Sequence, residues 1–203
     1  MRKKKEKALN FLIGASLLYW AGAGLYSHWE DPAIPPARWC VSLLNLAVGF
    51  LIIFRQPLQA TPKTTSALIA LPSLFCGGLL FRMAKPMYLW TFYSQTVFIV
   101  AGLFTVASFL SLGKSFSVLP GLRGIVSKGP YQFMRHPSYL GEIVMSLACL
   151  ISAKETLLSA IPFALLIPAL MFRIKEEEKL LSSQYEYLLY KTNVKWRLLP
   201  RVW

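Results

Sequence analysis

Residues 86–113 read PMYLWTFYSQTVFIVAGLFTVASFLSLG, 28 positions without one charged side chain. An α-helix rises about 1.5 Å per residue, so this run is long enough to cross the roughly 30 Å of hydrocarbon in a bilayer. Further runs of the same kind lie at residues 8–27, 39–54, 64–81 and 156–172. A shorter one, 143–153, crosses only if it borrows residues 138–142. The expected fold is an all-α polytopic integral membrane helical bundle of five to six segments, the last two forming a helical hairpin.

Composition agrees, since a chain of 203 residues that is 55% hydrophobic and only 15% charged is too apolar for a soluble domain of this length. The net charge of +13 raises nucleic acid as a partner. Its distribution argues against that, because the basic residues lie between and beside apolar segments and form no basic domain. If six segments cross and the N-terminus is cytoplasmic, 18 of the 22 basic residues fall inside, leaving Arg38, Arg82, Lys85 and Lys154 outside. The positive-inside rule therefore predicts both termini in the cytoplasm. A basic start before an apolar run also suits a signal peptide, but no small-residue cleavage pattern follows before HWEDPAIPP, so a retained span is expected. Cys40, Cys76 and Cys149 are scattered through apolar segments and offer neither disulfide framework nor metal-ligand spacing, so packing is their expected role and no metal site is expected.

The chain divides in character. Residues 1–112 form a scaffold of four membrane segments, at about 8–27, 37–54, 64–82 and 87–112, joined by loops rich in Pro (Pro32, Pro35, Pro36, Pro57, Pro62) and poor in reactive groups. Residues 113–203 hold the chemistry: a motif loop at 113–137, a membrane hairpin at 138–172 and a cytoplasmic tail helix at 173–203. Within the tail, 173–191 lacks Pro and Gly and mixes charge with leucine, which predicts a helix continuing the last span. Trp196 and Trp203 sit beside basic residues as interfacial anchors. No strand leads into a Gly-rich phosphate turn, which excludes a soluble dinucleotide domain.

Three clusters carry reactive groups: Gly129, Tyr131, Arg135, His136, Pro137, Tyr139, Gly141 and Glu142; Arg173 with Glu176, Glu177 and Glu178; and Glu186, Tyr187 and Tyr190. Taken singly, most have plain readings. Arg135 serves as a topology determinant, Pro137 as a helix start, the tyrosines as belt residues, and the glutamates as a solvated face paired with Arg173, Lys175 and Lys179. His136 is harder to dismiss, being one of two histidines in the chain. Glu142 is harder still, because a carboxylate one turn into a membrane segment is costly unless paired or facing a polar cavity.

Taken together, GPYQFMRHPSYLG at 129–141, followed after an apolar hairpin by EEKLL and EYLLY, resembles the isoprenylcysteine carboxyl methyltransferase and phospholipid methyltransferase superfamily over residues 113–200. The resemblance implies a cofactor pocket for S-adenosyl-L-methionine on the cytoplasmic side of the C-terminal half, and a lipophilic acceptor arriving from the bilayer. The residues present suit that donor. Arg135 or His136 can meet its carboxylate, Glu177 and Glu178 its ribose hydroxyls and amine, and Tyr131, Tyr139 and Tyr187 its adenine and sulfonium. Gly129 and Gly141 are expected to let backbone approach the ligand. His136, Glu142 and Glu177 are the candidate catalytic groups, needed as bases only if the acceptor is an amine and not a carboxylate. Isoprenylcysteine-type carboxylate methylation is the leading expectation, with lipid amines or thiols as alternative acceptors. From other classes, an NADPH-dependent sterol-type reductase and a non-catalytic membrane scaffold stand as lower alternatives.

Overall fold

The computed structural model describes residues 2–30, 34–58, 68, 70–119 and 121–203, without the side chains of residues 2–5 and His28. The loop positions Asp31 and Lys63 and the first residues of the expected 64–82 segment lie outside that set. Seven α-helices are described: α1 (Arg2–Glu30), α2 (Pro36–Phe54), α3 (Leu71–Met83), α4 (Phe92–Leu112), α5 (Pro137–Ile151), α6 (Thr156–Leu181) and α7 (Tyr185–Asn193). Among the described residues β structure amounts to isolated bridge positions, Ala84 paired with Ala153 and a further one at Leu122. Four helices, α1, α2, α4 and α6, are long and apolar enough to cross a membrane, and the chain is read as an integral membrane protein. The third and fifth expected segments appear as shorter apolar helices of 13 and 15 residues.

Local chemistry sets the helix ends. Pro36 and Pro137 open α2 and α5, where a missing N–H costs nothing. Thr91 caps α4 by accepting from the Ser94 N–H at 3.3 Å. Gly113 ends α4 at φ 49°, a left-handed bend that favours glycine.

Small residues let the helices approach closely, as hydrocarbon gives helices no hydrophobic reason to associate. A Cβ placed on Gly14 would stand 2.7 Å from the Gly49 carbonyl, and one on Gly49 would stand 3.0 Å from the Gly14 carbonyl, so α1 and α2 cross there backbone to backbone. Gly102 of α4 receives Cys40 of α2, and Gly141 of α5 receives Thr105 of α4. These contacts order the bundle as α1, α2, α4, α5, with α6 against α5 and α3 against both α5 and α6. Gly141→Ala should destabilise the protein by about 1–3 kcal/mol, because the added methyl collides with a β-branched side chain and meets the Ala101 carbonyl at 3.2 Å. A melting temperature in detergent equal to that of the parent would refute this.

The two ends of the bundle differ. At one, the end of α3 bonds to the α5–α6 turn, with Lys85 N–H donating to Ser152 at 2.8 Å and Lys154 N–H to Met83 at 3.2 Å. At the other, Glu6, Asn10, Arg55, Gln56, Lys114 and Arg123 come together. The polar residues of the sequence motif gather at this second end.

The expected continuous tail helix is corrected here. α6 stops at Leu181, residues 182–184 form a turn, and α7 starts afresh at Tyr185. Ser182, Ser183 and Gln184 donate their N–H groups to Glu178, Leu180 and Leu181, closing the last turn of α6. After α7 the chain is extended and turned. Residues 194–197 return to the motif loop, where Arg135 N–H donates to Trp196 at 2.9 Å and His136 N–H to Arg197 at 2.8 Å. Hydrophobic pattern and composition do not distinguish one long helix from two joined by a three-residue turn. The tertiary contacts of Tyr187, Tyr190 and Val194 with Tyr131 require the second.

Candidate functional site

A cavity of about 340 Å³ lies where α2, α4, α5, α6 and α7 meet the segment 115–126. That size falls within the range of small-molecule sites. Leu44, Val48, Leu74 and Met145 supply an apolar part of its wall, and Tyr131, His136, Tyr139, Arg173, Glu177 and Tyr187 a polar and aromatic part.

Tyr139 organises the polar part. Its hydroxyl donates to Glu177 Oε2 at 2.6 Å. The His136 ring stacks on it at 5.5 Å with an interplanar angle of 9°, and the Arg173 guanidinium stands 4.8 Å over its ring. A desolvated cation over an aromatic face is worth about 1–2 kcal/mol. Arg173 is buried, donating from Nη1 to Ser73 Oγ at 3.0 Å and from Nη2 to the Val118 carbonyl, while its Nε has no partner. His136 Nε2 is likewise buried without a hydrogen bond, 3.4 Å from Glu178 Oε1. The buried Tyr187 hydroxyl also lacks a partner. Burial, then the charge of Glu178, push the Tyr187 phenol well above its usual range, so it stays protonated and able to donate.

Behind the cavity lies a charged knot. Glu178, 4% exposed, accepts from Arg135 Nε at 2.8 Å and from Arg197 Nε at 3.0 Å. Arg135 completes its bonding to the Val194 and Lys195 carbonyls at 2.9 and 3.1 Å. Tyr190 donates to the Tyr131 carbonyl at 2.6 Å and so holds the turn Gly129–Gln132 against α7.

Residues 94–183 match the model of the Isoprenylcysteine carboxyl methyltransferase (ICMT) family. Over that stretch, 90 of its 203 residues, the chain is similar to this family. The methyltransferase-family segment takes in α4, α5, α6 and the motif loop, and with them His136, Tyr139, Glu142, Arg173, Glu177 and Glu178; Tyr187, Tyr190 and Arg197 lie just beyond it. No curated protein and no solved structure matches the chain. The matched family is one of membrane methyltransferases, and in this chain α1, α2, α4 and α6 are long and apolar enough to cross a membrane.

Of the site residues expected from sequence, Tyr131, Arg135, His136, Tyr139, Glu142, Glu177 and Tyr187 line the cavity. Three are otherwise engaged. Glu178 is not on the cavity wall, because Arg135 and Arg197 occupy its oxygens. Gly129, at φ 60°, and Gly141 do not line it either; added Cβ atoms would collide with Ser111 and Thr105, so both serve packing against α4. Arg135 spends two of its nitrogens on structure, so its expected part in ligand binding is reduced. Arg173 was not among the expected site residues. Its signal was a cation directly after the apolar run 156–172, which also suits an ordinary pairing with nearby glutamates.

Proposed function

We propose that the protein transfers a methyl group from S-adenosyl-L-methionine to the carboxylate of an isoprenylcysteine-type acceptor at the cytoplasmic face of a membrane. The observation that carries this reading is a single cavity that joins an apolar wall inside the bundle to a polar, aromatic wall that includes His136 and two residues with unpartnered buried donors, Arg173 and Tyr187. Donors left unbonded in a low-dielectric site cost about 1–3 kcal/mol each unless a ligand accepts from them. The gathering of Glu6, Arg55, Lys114, Arg123 and the motif at one end, against Lys85 and Lys154 at the other, supports six crossings with that end cytoplasmic.

The donor set fits the cofactor. His136 and Tyr187 can donate to its carboxylate, Glu177 can accept from its hydroxyls or amine, and the faces of Tyr131 and Tyr139 suit adenine and a sulfonium. When bound, that cofactor supplies an electrophilic methyl group. Arg173 is placed to hold the acceptor carboxylate, since it is a buried guanidinium beside apolar wall with an uncommitted N–H. A carboxylate nucleophile needs no base, so orientation and exclusion of water are the main duties of these residues. Glu142 favours a second reading. A carboxylate on this wall can hold a lipid ammonium and take its proton, which would make the acceptor an amine.

Labelled methyl transfer into a membrane extract followed by mild base separates the two, for an ester releases methanol and an N-methyl product retains the label. Glu177→Gln and His136→Ala should each weaken S-adenosylhomocysteine binding by at least about tenfold, the size of one lost charge-assisted hydrogen bond. Calorimetric titration giving parental affinity in both variants would overturn these assignments.

A further inference from the structure

Glu6 stands on α1, outside the methyltransferase-family segment and not on the cavity wall. Its Oε1 accepts from Arg123 Nη2 at 3.0 Å across 117 positions of sequence. Arg123 is 2% exposed, and its Nη1 donates to the Gln56 carbonyl just past α2. Gln56 in turn donates its N–H to Lys114 at 2.8 Å, at the start of the segment that covers the cavity. Arg123 is therefore tied to α1 and to the end of α2 at once.

Directly after Arg123 the chain becomes pocket wall. Gly124 bends it at φ 150°, with Ser115 Oγ only 2.7 Å from where a Cβ would stand, so the bend has little freedom. Ile125 and Val126 come next, lining the cavity and packing against the cluster of Tyr131, Tyr187 and Tyr190. Further back, Arg173 holds the same segment by the Val118 carbonyl. The cover is thus pinned at one point from within the site and at the other from α1.

We infer that Glu6 is a positioning residue for the cofactor pocket, acting through Arg123 to set Ile125 and Val126 against the tyrosine wall. This rests on the methyl-donor reading above. Without the Glu6 charge, the Arg123 guanidinium, buried beside Arg55, loses its carboxylate partner while keeping the Gln56 carbonyl, and its charge is drawn toward water. Such movement carries Gly124, Ile125 and Val126 away from the tyrosines. The reacting groups on α5 and α6 stay where they are, so affinity for the donor falls while the chemical step is retained.

The test uses the full chain in detergent, with calorimetric binding of S-adenosylhomocysteine, steady-state kinetics, and hydrogen exchange of residues 117–126. Glu6→Gln is expected to weaken binding and raise the donor KM by about tenfold with kcat within about twofold, the pattern of lost binding without lost catalysis. Exchange at 117–126 should quicken while that of α4 does not. Glu6→Asp keeps the charge and should recover most of the affinity, which a loss of folding in Glu6→Gln cannot mimic. Parental affinity and exchange in Glu6→Gln, or a fall in kcat with KM unchanged, would overturn the inference. If the parent itself binds no S-adenosylhomocysteine, the donor reading fails first, and that result is distinct from a parent that binds and a variant that matches it.

Discussion

Glu178→Ala is expected to destabilise the protein by about 3–5 kcal/mol, the usual cost of removing one partner from a buried ion pair. The carboxylate is 4% exposed and Arg135 is 6% exposed, so neither can turn to water for compensation. With Glu178 gone, Arg135 keeps only the carbonyls of Val194 and Lys195 for its buried charge, and Arg197 loses its anchor. The tail 194–203 then has less reason to return to the motif loop. Glu178→Gln keeps the shape and one acceptor oxygen and should cost less. Thermal unfolding in detergent measures both, and an unchanged melting temperature in Glu178→Ala would show the knot to be dispensable. Activity should fall in step with folded fraction, because Glu178 does not line the cavity.

Arg173→Met should act chiefly on turnover, which it removes, with a smaller loss of donor binding through the missing bond to the Val118 carbonyl of the pocket cover. Methionine fills the stem volume of arginine and leaves the neighbouring wall apolar, so a large collapse is not expected. What is lost is the guanidinium over Tyr139 and its bonds to Ser73 and Val118, together with its buried, unpartnered Nε. If that group holds the acceptor carboxylate, kcat/KM for an S-prenylated cysteine substrate should drop by about 2–4 kcal/mol, or roughly 30- to 1,000-fold. Arg173→Lys should recover little of it, as an ammonium cannot reproduce a planar fork with three directed bonds. Kinetics with the acceptor varied at saturating donor decide the matter. Parental kcat/KM in Arg173→Met would remove Arg173 from the acceptor site and strengthen the case for Glu142 and an amine.

Much of this was legible in the linear chain because membrane helices declare themselves locally. A charge-free run such as 86–113 has one way to satisfy its backbone in hydrocarbon, so helix type and approximate bounds follow from the run alone. The spelling GPYQFMRHPSYLG marked the loop that brings Tyr131, His136 and Tyr139 to the cavity. Roles within the cluster were less legible. Glu177 and Glu178 are adjacent and chemically identical, yet one accepts from Tyr139 beside the cavity and the other is enclosed by two arginines behind it. Successive helix positions turn by about 100°, and which of two neighbouring carboxylates faces a ligand depends on how α6 is rotated against α5.

The sequence by itself determined the membrane class, the all-α architecture, the concentration of reactive groups after residue 113 and the likeness of residues 94–183 to a methyltransferase family. These properties arise from composition, run length and short-range spelling. Only the tertiary structure decided that Gly129 and Gly141 serve packing, that the tail breaks at 182–184, that Arg173 enters the site, and that Glu6 reaches the pocket cover. Where a side-chain bond records the partner, it lies far off in the chain, 100 and 55 positions for Arg173 with Ser73 and Val118 and 117 for Arg123 with Glu6. Such partners are chosen by helix rotation and close approach, which no local pattern encodes.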